Sequence, residues 1–122
     1  MGGVILAYIL NRSAPKKQKI LQYLNEIKDL SKLKAESDAI SRDIMVRADN
    51  ILSSALQCYF GNSNGIGENL KKAKYLYNRS EYNELWNAHK VRNKVVHEQY
   101  SPNPSEVKKS LYIFAKAVGK LL

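Results

Sequence analysis

His89 and His97 are the only histidines of this 122-residue chain, and Arg92 and Asn93 lie between them in the stretch Glu84 to Tyr100, ELWNAHKVRNKVVHEQY. Imidazole is the side chain whose ordinary pKa, near 6.5, lets it take and return protons at neutral pH. A guanidinium offers a planar fork, charged at any working pH, that matches a phosphate bidentately. On an ideal helix, at about 100° per residue, Leu85, Ala88, Val91, Val95 and Val96 share a core-facing arc with Arg92 inside it. His89, Asn93 and His97 then follow at four-residue steps along the flank of that arc. Polar groups at the edge of a core cost free energy unless they are paired, so their concentration here marks a candidate site. Each also has a plain structural explanation: Arg92 pairing with a core acid, His97 bonding its own helix end, His89 sitting satisfied and half-buried.

Arg92 is followed directly by Asn93 and, after Lys94, Val95 and Val96, by His97. This motif, set late in a helix and followed by the loop SPNP (Ser101 to Pro104) and one more amphipathic helix in a basic chain, resembles the Arg-x4-6-His signature of HEPN domains. These are small all-helical modules, many of them metal-independent ribonucleases. The resemblance extends over most of the chain as a helix pattern and is most specific at HKVRNKVVHE. It implies an endoribonuclease of toxin or defence type that leaves 2′,3′-cyclic phosphate and 5′-hydroxyl ends. It also implies a second copy of the motif across a two-fold interface. On one helix Arg92 and His97 are about 140° apart, too far round to grip one phosphate, and a homodimer would bring two of each into one cleft. In toxin members a tyrosine modified by a partner antitoxin stands two residues after the histidine; here Tyr100 stands three after His97, which leaves any antitoxin or regulatory partner unidentified. The alternative is a non-catalytic HEPN-like nucleotide- or RNA-binding or dimerisation module, with or without a membrane tether.

Cleavage of RNA without a metal needs a base for the 2′-hydroxyl proton, a cation for the charge on phosphorus oxygens, and a group that fixes geometry. His97 suits the first role, Arg92 the second and Asn93 the third. His89, Lys90, Lys94 and Tyr100 are the expected RNA contacts nearby. Trp86, on the flank of His97, is expected at the centre of the dimer interface, since aromatic anchors are enriched there; in a monomer it would pack under the SPNP loop. No metal site and no cofactor are expected, because two histidines eight positions apart lack a third ligand.

The elements that must position these residues are helical throughout. Ser13 and Pro15 predict the start of a first helix, to about Leu33. Ser37 or Asp38 caps a second, with Ile40, Ile44, Ala48, Ile51 and Ala55 in period, which ends near Phe60 at a left-handed Gly61. Asp49 within it reads as a solvated flank residue. The loop GNSNGIG (Gly61 to Gly67) lacks the lysine and Ser or Thr of a phosphate-binding P-loop and reads as a turn. A short third helix follows from Ile66, with Lys71, Lys72 and Lys74 off its apolar stripe, either solvated or tracking an RNA backbone. The fourth is predicted from Ser80, with Asn83 in the capping-box position, to about Tyr100. The fifth is predicted from a Ser105 cap, with Val107, Leu111, Phe114 and Val118 closing the core. The fold class is all-α, a four- to five-helix, mostly antiparallel bundle.

Length fits one domain, residues 15–122. Residues 1–14 form an apolar N-terminal segment whose run VILAYIL is far short of the ~20 residues of a span; it reads as a packed segment or as the remnant of a membrane anchor. Lys and Arg total 20 against 11 Asp and Glu, a net charge of +9, so a polyanion or an anionic surface is the natural partner; the HEPN resemblance makes RNA the expected one, with a membrane as the alternative. Eight tyrosines, several beside basic residues, suit either bundle edges or stacking on bases. Cys58, alone, excludes an intrachain disulfide and a cysteine zinc cluster. The expected location is the cytoplasm, with the cytoplasmic face of a membrane as the alternative.

Overall fold

The computed structural model describes the backbone of residues 2–122 and the side chains of residues 15–122. Five α-helices form an all-α bundle: α1 (Gly2–Leu30), α2 (Asp38–Phe60), α3 (Ile66–Lys72), α4 (Arg79–Glu98) and α5 (Pro104–Gly119), with a 3-10 turn at Ala73–Leu76 between α3 and α4. Helix α2 packs against each of the other four, so it is the axis of the molecule. Its buried face, including Ile44, Met45, Leu52 and Leu56, meets Ile20 and Ile27 of α1, Leu85 of α4 and Phe114 and Val118 of α5.

The ends of α2 follow from its sequence. Ser37 accepts a hydrogen bond from the Ile40 amide at 3.2 Å, and Gly61, at φ 66°, closes the other end with its amide on the Gln57 carbonyl, a conformation that costs a side-chain-bearing residue about 1–2 kcal/mol. The GNSNGIG turn is then fixed by side-chain amides. Asn62 and Asn69 exchange two hydrogen bonds, at 2.9 and 3.0 Å, and Gln57 donates to the Asn64 carbonyl at 2.9 Å.

Four predicted boundaries are corrected. Helix α1 runs across Pro15, where a start at Ser13 was expected; the exposed proline removes one backbone donor and the helix continues. It stops at Leu30 and not Leu33, because the amides of Lys32 and Leu33 reach back only three residues and tighten the last turn out of α-helical geometry. Helix α4 is capped by Asn78 in place of Ser80: the Asn78 side chain takes the Glu81 amide at 2.8 Å while Glu81 returns to the Asn78 amide at 3.0 Å, a complete capping box. Helix α5 is capped by Asn103, which accepts from the Glu106 amide at 2.8 Å, and Pro104 takes the first helical position, where its missing donor is not needed. The apolar segment of residues 1–14, read as packed or as an anchor remnant, has its side chains outside the described residues. Among the described residues no helix is long and apolar enough to cross a membrane.

Two contacts tie the ends of the bundle. Glu81 receives Lys120 at 2.9 Å and Lys116 at 3.2 Å from α5; Lys120 first, then the Asn78 amide and Lys116, hold its carboxyl down at about 2. The buried Tyr77 hydroxyl donates to the Ala117 carbonyl at 2.9 Å, and burial pushes its pKa upward.

Candidate functional site

The candidate site is built on a residue of α2. Asp49 sits between Ala48 and Leu52 on the buried face and is 2% exposed, which overturns its reading as a solvated flank residue. A carboxylate shut away from water requires partners, and α4 supplies them. His89 places Nδ1 2.8 Å from Asp49 Oδ2, and Arg92 places Nε 3.5 Å from Oδ1. Since a carboxylate only accepts, Nδ1 of His89 is the donor of this bond, and Nε2 is the ring nitrogen that Asp49 does not engage.

Arg92 is held unevenly. Its side chain is 25% exposed, and its Nη1 donates to Asn93 Oδ1 at 3.2 Å. Its Nε is buried and lacks a hydrogen-bond acceptor among the described residues. The 3.5 Å approach to Asp49 is therefore a charge contact, not a formed hydrogen bond. The guanidinium is anchored from its inner edge by charge while its outer edge reaches Asn93 at the surface, the orientation in which a fork can still meet an anion.

The structure thus brings together Asp49, His89, Arg92 and Asn93, and leaves the other expected site residues apart from them. His97 is exposed and has no hydrogen-bond partner among the described residues. Lys90 and Lys94 are exposed, with the Lys94 ammonium 5.8 Å from the centre of the Tyr100 ring. Tyr100 donates its hydroxyl to Glu106 at 2.6 Å, and that bond raises its pKa. His89, read as an RNA contact, is 7% exposed with Nδ1 committed to Asp49, so only its outer edge is left for a ligand. Val96, expected on the core arc, is 46% exposed. Trp86 neither packs under the SPNP loop nor stands free. It lies 3.8 Å from the position a Cβ would take on Gly67, close against α3, and meets Tyr82 and His89 edge to face.

Asp49 is the functional candidate that sequence reasoning missed. Arg92 on the core arc of α4 demands a buried anion, and Asp49 is the acid that falls within an apolar stripe of another helix. Two grooves of about 560 Å³, one lined from α1 and α5 and one from α1 and α2, include none of these residues. The candidate site is therefore an open surface along α4, suited to an extended ligand or a second protein surface. No family model, no curated protein and no solved structure matched the chain.

Proposed function

We propose that the protein is a metal-independent endoribonuclease of HEPN type, acting in the cytoplasm as a two-fold homodimer. The observation that supports this reading best is Arg92, anchored from inside by the buried Asp49 carboxylate with its outer edge at Asn93, one helical turn from the exposed His97. In the proposed reaction His97 takes the proton of a 2′-hydroxyl, whose oxygen attacks the adjacent phosphorus while Arg92 stabilises the charge on the phosphoryl oxygens. The bond to the 5′-oxygen breaks, and that oxygen takes the proton that His97 received from the 2′-hydroxyl. The products are a 2′,3′-cyclic phosphate and a 5′-hydroxyl.

The test is incubation of the full chain with transfer RNA or total RNA in EDTA, beside His97→Ala and Arg92→Ala. The wild type should yield cyclic-phosphate ends, and His97→Ala should lose roughly 10²- to 10⁴-fold in rate, the usual contribution of a positioned base. Its stability should stay within about 0.5 kcal/mol, because His97 is exposed. Equal behaviour of wild type and His97→Ala would sink the reading.

The contact between Arg92 and Asp49 also favours a second reading, a non-catalytic nucleotide- or RNA-binding module. There Arg92 serves the fold and only the surface of α4 meets the ligand. RNA binding without cleavage, unchanged by His97→Ala, would select it.

A further inference from the structure

The flank of α4 that carries Asn93 and His97 begins with Tyr82 and Trp86, and the aromatic row continues off the helix. The rings of Tyr82 and Trp86 are 6.3 Å apart and those of Trp86 and His89 5.9 Å, all edge to face. From the 3-10 turn the Lys74 ammonium lies 5.8 Å from the centre of the Tyr82 ring. The next residue, Tyr75, is 71% exposed and has its hydroxyl 3.4 Å from that of Tyr59 on α2. The Lys16 ammonium, from α1, lies 4.8 Å from the centre of the Tyr59 ring.

Four elements thus contribute to two groups of lysine and aromatic rings, Lys16 with Tyr59 and Tyr75, and Lys74 with Tyr82 and Trp86, joined through the neighbours Lys74 and Tyr75. A surface that serves only solubility sends its ammonium groups out into water. Here two of them fold back over rings, so cation and π-face are presented together. That combination fits a single-stranded nucleic acid, whose phosphates follow the cations while its unstacked bases lie on aromatic faces. A duplex hides the faces of its bases. A membrane-surface helix needs Trp, Phe or Leu along one side and not tyrosines interleaved with lysine.

We propose that the strip from Lys16 and Tyr59 over Tyr75 and Lys74 to Tyr82 and Trp86 is a track for single-stranded RNA, and that it leads the strand to Asn93 and His97. The choice of RNA as ligand rests on the ribonuclease reading; the track itself rests on the contacts just described.

The experiment uses the full chain carrying His97→Ala, so that the probe survives, and an oligoadenylate of about 12 nucleotides, within the range of such sites. Emission from Trp86, the only tryptophan, reports binding. The expected result is saturable quenching, about tenfold weaker for Tyr75→Ala, the effect of losing one stacked base. Lys74→Ala should lower the slope of log affinity against log salt by about 0.7. The same strand in a duplex should compete poorly. Tyr75 and Lys74 are both exposed, and a helical circular dichroism spectrum should accompany each variant. Unchanged affinity in Tyr75→Ala, equal binding of the duplex, or quenching by phosphatidylserine vesicles with none by RNA would each overturn the track. If oligoadenylate binds as expected but the wild type cuts no RNA, the nuclease reading falls and the track stands. If the wild type cuts RNA with a KM that Tyr75→Ala leaves unaltered, the track falls and the nuclease reading stands.

Discussion

Asp49 takes both oxygens to side chains of α4 forty or more residues away in the chain, the His89 ring and the Arg92 guanidinium, and very little of it touches water. Removing one partner of such a buried arrangement costs about 3–5 kcal/mol, because the charges left behind cannot be solvated. Arg92 retains some access to solvent, so Asp49→Ala should cost about 3 kcal/mol, the lower end of that range, measured by urea unfolding. Asp49→Asn should cost less, since its amide oxygen can still accept from His89 while the charge opposite Arg92 is lost. A loss under about 1 kcal/mol for Asp49→Ala would mean that the carboxylate does not hold the pair together. The Arg92, Asn93 and His97 pattern was legible in sequence because all three fall on one helix with fixed spacing. Asp49 was not, because a single acid in a helix usually faces solvent and only its partners on α4 reveal otherwise.

At the scale of elements, the signals that survived were those with one physical solution. Gly61 is a stop because few other residues accept its backbone angle, and Ser37 caps because the polar run before it offers no better acceptor in register. The starts of α4 and α5 were misread where two cap candidates stood two residues apart. Glu81 decided the first by completing a box with Asn78, and Pro104 decided the second by taking the first helical position. Glu81 also carries a pH dependence. Its folded pKa, about 2, lies below the ordinary 4.5, so in this range the unfolded chain binds more protons at Glu81. Its contribution to stability is complete above about pH 4.5 and is lost as the pH falls towards 2. Glu81→Gln should therefore flatten the fall in stability across that window, read by urea unfolding at several pH values. Parallel profiles for the two proteins would show that the lysine pairs of α5 add nothing.

At the scale of the whole molecule the proposed reaction depends on assembly, since five positions on a helix set Arg92 and His97 about 140° apart around α4. Trp86 is half-buried against α3 and its neighbours on α4, so the interface expected around it would meet only its outer edge. The exposed Val96, between Arg92 and His97, is a second apolar residue that the proposed interface would cover. The proposed homodimer would carry a net charge of twice +9, that is +18, so RNA affinity should fall steeply with salt. Light scattering at micromolar concentration should give a dimer for the wild type and a monomer for Val96→Glu, with cleavage lost in step. A wild-type monomer that still cuts RNA would rule out the shared cleft. The buried carboxylate has one more consequence, for how the helices find their alignment. Faces made of Leu, Ala and Val are nearly interchangeable from one turn to the next, so α4 could slide along α2 at little cost in apolar contact. The match of Asp49 to His89 and Arg92 favours a single alignment: a slip of one turn sets Leu85 or Asn93 where His89 stands and Ala88 or Val96 where Arg92 stands, so the buried carboxylate loses its charged partner, at several kcal/mol. The pair thus acts as a registration key, and through it the heights of Arg92, Asn93 and His97 are set before any ligand arrives.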